Sequence, residues 1–223
     1  MLSLFCDNYF RFMTYFLQFL VFVIALLVAM TVHEASHALI AYYLGDPTAK
    51  IRGRLTLNPI AHLDPVGSLL FLITQRVGWG KPVPVNSMNF KNPVKDSALT
   101  SLAGPVSNFI LAFVLAIPMK YLGAYLPDFV NLLLWTIFHV SIYLGIFNLL
   151  PFPPLDGSGI LGLFIPKRFY PQYQNFLQNG VKYFIAIILI DVFIIDSIFK
   201  FSFLHYFMGF MHDWVSTVLL LGT

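Results

Sequence analysis

From Phe12 to Leu44 the chain is apolar or small and uncharged, apart from Thr14, Gln18, Thr31 and one interruption, His33-Glu34-Ala35-Ser36-His37. About 20 such residues cross a bilayer as a helix, so this run predicts a transmembrane segment. Ionisable side chains are costly at that depth and default to a functional role. Glu34 is also the only glutamate in the chain. Four residues apart on a helix, His33 and His37 leave the same face and can grip one metal ion. Glu34 lies beside them, placed to act on a water at that metal. The pattern is that of a zinc hydrolase written into a membrane helix.

The rest of the chain suits a membrane. Hydrophobic residues make up 58% and charged residues 10%, against roughly 25% charged in a soluble domain. The net charge of +3 is spread over loops, which excludes a nucleic-acid partner. Cys6 is the single cysteine, so no internal disulfide forms and no thiolate pair is available for a metal. The first apolar run exceeds the roughly 7–15 residues of a signal-peptide core, and reads as a retained helix.

That helix is expected from about Thr14 to Leu44, ending at Gly45-Asp46-Pro47. At about 1.5 Å per residue, His37 and His33 lie roughly 12–18 Å in from its end. Val66 to Thr74 is too short to span and reads as re-entrant or interfacial. Trp79-Gly80-Lys81-Pro82-Val83-Pro84-Val85-Asn86 carries alternate prolines, which suit an extended edge segment. Further spans are expected from about Ala98 to Met119, Phe129 to Leu150 and Val181 to Phe199. Phe201 to Leu221 either spans or lies in the interface. The fold class is therefore all-α and polytopic, a bundle of about 4–6 transmembrane or re-entrant segments with a short re-entrant β-like loop. It forms one membrane-embedded domain over 1–223, with a core at about 14–165 and C-terminal helices at about 179–223. Lys50, Arg52, Arg54, Arg76, Lys81, Lys91, Lys95, Lys167 and Arg168 fall in loops on one side, which makes that side cytoplasmic. The active site is then nearer the cytoplasmic face.

Two histidines do not complete a catalytic zinc site, which takes three protein ligands and a water. The segment Asn148-Leu149-Leu150-Pro151-Phe152-Pro153-Pro154-Leu155-Asp156-Gly157 is the obvious supplier. Backbone broken at membrane depth is tolerated only beside protein or a watery cavity, so a carboxylate there is expected at a pocket. Other polar residues read as structural. His62 and Asp64 make loop contacts or, less simply, a second metal site; His139 bonds to a neighbour; His205 and His212 are interfacial. Asp191 has no evident partner and is a candidate for an aqueous path.

These motifs resemble the site-2 protease family of intramembrane zinc metalloproteases. The resemblance rests on His33 to His37, on Asn148 to Gly157, and on Ala103-Gly104-Pro105-Val106-Ser107-Asn108 between them. It covers roughly 14–165 and implies a minimal prokaryotic member without a PDZ-like or nucleotide-sensing domain. It implies that His33, His37 and Asp156 bind one Zn2+ per chain and that Glu34 is the general base. It further implies that Asn148 holds substrate backbone, that Asn108 lines the same cleft, and that Val83 and Val85 pair with an unwound substrate. Gly104 reads as helix packing. The implied partners are a transmembrane protein or peptide substrate and the lipid bilayer of a prokaryotic plasma membrane. A zinc-holding membrane binder without proteolysis and a metal-dependent lipid hydrolase are the competing readings.

Overall fold

The computed structural model describes residues 2–74 and 79–220, and no strand forms among them. Arg76 lies outside the described residues. Helix α1 runs Leu2–Tyr43, about 63 Å at 1.5 Å per residue. It begins earlier than the hydropathy boundary suggests and stops where expected, as Gly45 turns the chain at a φ of 107°. A short α2, Thr48–Ile51, and α3, Pro65–Thr74, follow. Then come α4, Pro93–Leu122, and α5, Asp128–Asn148. Three helical stretches, Met13–Tyr43, Pro93–Tyr125 and Asp128–Asn148, are long and apolar enough to cross a membrane.

These three pack on one another through small residues, which let membrane helices approach closely where lipid removes the usual hydrophobic drive. Ala25, Ala29, Ala38 and Ala41 of α1 are fully buried, and so is Ala112 of α4. The core proper joins Ala112, Ala116 and Met119 of α4 to Phe138, Ile142 and Ile146 of α5. It is closed on the outside by Met208, Met211 and Val215 of a C-terminal helix.

After α5 the chain breaks over 149–155 and restarts as α6, Asp156–Leu161. Gly157 permits that return, because any side chain there would meet the Leu149 and Leu150 carbonyls. Helix α7 spans Tyr170–Leu189 and passes into a π-helical turn, Ile190–Ile195, then α8, Asp196–Phe199, and α9, Phe203–Leu219. The expected span from Val181 to Phe199 is therefore not one regular helix. The reason sits at Asp191. Its carboxylate accepts from Ser202 Oγ at 2.6 Å, Phe203 N at 2.8 Å and Leu204 N at 3.2 Å. The first amides of α9 lack partners inside their own helix, and Asp191 caps them from a distance. It is a fold-building carboxylate, with its oxygens spent on that cap.

The segment expected to be β-like is extended but pairs as no ladder. Among the described residues its sheet contact is an isolated bridge between Leu63 and Gly80, with Lys81 N donating to His62 O at 2.8 Å.

Candidate metal centre and its cleft

His33 and His37 meet because one turn of α1 separates them, and α6 brings Asp156 against both. His33 Nε2 lies 3.1 Å from His37 Nε2, and Asp156 Oδ2 lies 3.0 Å and 3.3 Å from the two nitrogens. The three ligand atoms fall within 4.8 Å of one another. Both rings are buried, at 5% and 8% exposure. Asp156 Oδ2 is buried as well and makes no well-formed hydrogen bond, although two ring nitrogens face it.

The tautomers explain that arrangement. His37 Nδ1 lies 2.7 Å from Thr100 O, and a carbonyl only accepts, so Nδ1 carries the proton. Its Nε2 then presents a lone pair to His33 and Asp156. On the other ring, the Asn108 carboxamide lies 3.1 Å from His33 Nδ1, while Asn108 Oδ1 is buried without a partner. Turning that amide, whose two ends have the same shape, makes Oδ1 accept from Nδ1–H and gives His33 the same tautomer. Two lone pairs and a carboxylate oxygen aimed at one another repel unless a cation sits among them. The donor set, two imidazoles and one carboxylate, is one that a catalytic zinc takes. The residues fit the metal.

Asn108 is fully buried and touches the His33 ring, so its contact is with a ligand. Second contacts of this kind fix ring orientation, and losing one typically costs about 10–100-fold in metal affinity. Asn108→Ala is therefore expected to weaken zinc binding by about that factor, with Asn108→Asp near wild type. Chelator competition checks this.

Gly104 of α4 stands directly over the centre. A Cβ there would lie 2.5 Å from His37 Nε2 and 2.6 Å from His33 Nε2. The sequence assigns Gly104 to helix packing; its position makes it the wall that leaves room for the ion. Glu34, next along α1, accepts from Val83 N at 3.0 Å through Oε2. The Arg54 guanidinium, buried at 5% exposure, donates to Lys81 O. Burial lowers the Arg54 pKa, and the Glu34 charge opposes that shift.

A cleft of about 390 Å³ opens on the centre, lined by His33, Glu34, His37 and Asp156. Pro82, Val83, Val85 and Pro154 give it an apolar wall; Ser87, Ser97, Thr100, Ser101 and Asn148 give it a polar one. Asn148 Nδ2 donates to Leu144 O at 2.9 Å within its own helix, which leaves the carboxamide oxygen for the cleft.

Asp46 anchors the apolar wall from below and is fully buried. It accepts from Thr48 N and Oγ1, from Asn89 Nδ2 at 2.7 Å and from Asn86 N at 2.7 Å. Burial raises its pKa, but the bonds from Thr48, Asn86 and Asn89 together outweigh that and hold the carboxyl below its usual range. A depressed folded pKa means the stabilisation is complete above the unfolded value of about 3.9 and is lost as pH falls through the lower folded value. The anchor is thus expected to hold unchanged from about pH 7 to pH 5. Asp46→Ala at neutral pH is expected to speed proteolytic nicking over 81–89 several-fold, read by limited proteolysis at both pH values.

Elsewhere, Asp64 Oδ1 accepts from Gly67 N at 2.8 Å and caps α3, while His62 Nε2 lies 2.9 Å from Thr56 O. Those two residues make loop contacts. His139 does bond to a neighbour: its Nδ1 lies 2.8 Å from His212 Nε2. His212 is buried, stacked on Tyr143 with ring centroids 4.2 Å apart. It is a packing residue between α5 and α9, not the interfacial one expected, because its ring fits beside the His139 and Tyr143 rings one turn apart on α5.

The profile of Peptidase family M50 matches residues 123–190, from the end of α4 through α5, the proline break and Asp156 to α7. YwhC of Bacillus subtilis (strain 168), provisionally named a zinc metalloprotease, is 45% identical over 168 residues, 70% of this chain and 74% of that protein. The chain belongs to peptidase family M50. Rip2 of Mycobacterium tuberculosis (strain ATCC 25618 / H37Rv), named in the same provisional way, is 30% identical over 74% of this chain and 63% of its own length. Zinc metalloprotease MJ0392 of Methanocaldococcus jannaschii is 27% identical over 66% of this chain and 34% of its own length. The chain thus spans less than two thirds of the latter two. No solved structure matches it. The membership and the His-His-Asp group together make this M50 peptidase a zinc metalloprotease.

Three contributors escaped the sequence reading. Thr100 acts through its main-chain carbonyl, which no side-chain pattern reports. In the sequence Arg54 bears only on orientation, and Asp46 only on the stop of the first helix. Their one signal was a fully ionisable group beside glycine or proline turns.

Proposed function

We propose that this chain is an intramembrane endopeptidase, hydrolysing peptide bonds within or next to transmembrane segments of membrane-protein substrates. The observation that carries the reading is the site's address. His33, Glu34 and His37 lie within a helix apolar enough to cross a membrane, and their cleft opens beside an extended segment. His33, His37 and Asp156 hold the metal, Glu34 is the general base, and Val83, Val85 and Asn148 contact the substrate backbone. When bound, zinc polarises the scissile carbonyl and lowers the pKa of a water towards about 7. Glu34 takes the proton of the attacking water and returns it to the leaving amine. The Asn148 carboxamide oxygen, left free by the bond from its Nδ2 to Leu144 O, accepts from a substrate backbone N–H beside the scissile bond. Asn108 and Thr100 O hold the two rings still throughout.

A helical substrate keeps its carbonyls in its own hydrogen bonds, so it has to unwind locally before attack. Helix α3, the extended segment and α7 to α9 complete a single membrane-embedded domain of four to six segments around the three long helices. The positive loops support a site nearer the cytoplasmic face of a prokaryotic plasma membrane.

The test is cleavage of a panel of single-span substrates by the zinc-loaded protein in nanodiscs, with cut sites mapped by mass spectrometry. Cuts inside or at the rim of the apolar segment are expected. Cuts confined to soluble tails, or none while zinc remains bound, would remove the intramembrane reading.

A further inference from the structure

The extended segment from Lys81 to Asn86 is tied at three points. At its start Lys81 N donates to His62 O at 2.8 Å, and Arg54 donates to Lys81 O. In its middle Val83 N donates to Glu34 Oε2 at 3.0 Å. At its end Asn86 N donates to Asp46 Oδ2 at 2.7 Å. Both anchoring side chains, Arg54 and Asp46, are buried.

Along an extended chain, successive residues turn their N–H and C=O to opposite edges. Val83 points to Glu34, so Lys81, Val83 and Val85 share the edge that borders the centre. Pro82 and Pro84 fall on the other edge. The prolines therefore remove no donor from the cleft side; they blank the far side, where no second strand can add. On the cleft side, Lys81 N–H and Val83 N–H are both engaged, and Val85 N–H has no partner among the described residues.

We propose that this segment is a strap whose Val83 N–H holds Glu34 Oε2 at rest and is handed to the main chain of an extended substrate, which releases that oxygen to the chemistry. The inference rests on the peptidase reading and names how that site meets its substrate. Lifting the strap without a substrate would take the half-buried Val83 N–H from its carboxylate partner, a charge-assisted bond, with no protein acceptor in its place, which is unfavourable. A carbonyl of the unwound substrate removes that cost by taking the N–H as Glu34 lets go, so Val83 N–H keeps one acceptor throughout. A helical peptide has no carbonyl to offer. Unwinding and release of the base are thereby coupled. Arg54 and Asp46 are positioning residues that set the register of the exchange by fixing the strap at both ends.

Residue-resolved hydrogen exchange on the zinc-loaded full chain in nanodiscs tests this. The probe is a synthetic transmembrane peptide of about 25 residues with a central Asn-Gly break. Val83 N–H is expected to exchange slowly in the wild type and in Glu34→Gln, whose amide oxygen still accepts. In Glu34→Ala it is expected to exchange at least about tenfold faster, at unchanged zinc stoichiometry, and to slow again when the peptide binds. Exchange unchanged by Glu34→Ala, or left fast with the peptide present, overturns the strap. Cleavage of the same peptide by the wild type reads the peptidase separately: a cut peptide together with Val83 exchange unchanged by Glu34→Ala defeats the strap alone.

Discussion

Replacing Gly104 by alanine is expected to abolish zinc binding while leaving the helical content unchanged. The added methyl would sit 2.5 Å from His37 Nε2 and 2.6 Å from His33 Nε2, closer than real Cβ contacts come. Neither ring can yield. His37 is pinned by Thr100 O and His33 by Asn108, on the sides away from the centre. Because the methyl fills the space between the ligand atoms, the loss should exceed the 10–100-fold of an outer contact, so at least about 100-fold in affinity. Native mass spectrometry gives the stoichiometry and circular dichroism the fold. Gly209→Ala is the control, since a Cβ at Gly209 meets nothing within 4 Å. Zinc retained at wild-type affinity in Gly104→Ala would mean that the ligand atoms do not converge where the geometry puts them.

The second large effect is on turnover alone. Glu34→Gln is expected to keep one zinc per chain and to lower the cleavage rate by about 10²–10⁴-fold, the usual contribution of a positioned general base. The amide is isosteric and still accepts the Val83 N–H, so the cleft keeps its shape while the group can no longer take a proton. Fragment accumulation against time, with metal content measured on the same sample, separates the two effects. Equal rates for both proteins would remove Glu34 from the chemistry.

Several elements are legible in the sequence alone. His33 and His37 were readable as a pair because helical periodicity is local, and an apolar run leaves no doubt that it is a helix. Asp156 was readable because three prolines break the chain just before it, and a broken backbone beside a carboxylate needs a pocket. The end of α1 at Gly45 was equally plain, since only glycine adopts a φ of 107° without strain.

Other roles depend on residues far apart in sequence. Asn108 reads as a cleft residue until α4 places it on His33, 75 residues away. Gly104 reads as packing until both imidazoles appear beneath it. Asp191 looks unpartnered because its partners begin eleven residues later, after a turn that hydropathy does not forecast.

The order of residues alone determined which side chains are candidates for the chemistry: spacing on one helix and a proline-broken partner segment are properties of the chain itself. Only the tertiary structure decided how those side chains are held. Tautomer, ring orientation, the room for an ion and the hold on Glu34 all arise from contacts between α1, α4, α6 and the 81–86 segment, and packing between distant segments leaves no periodic trace in a sequence.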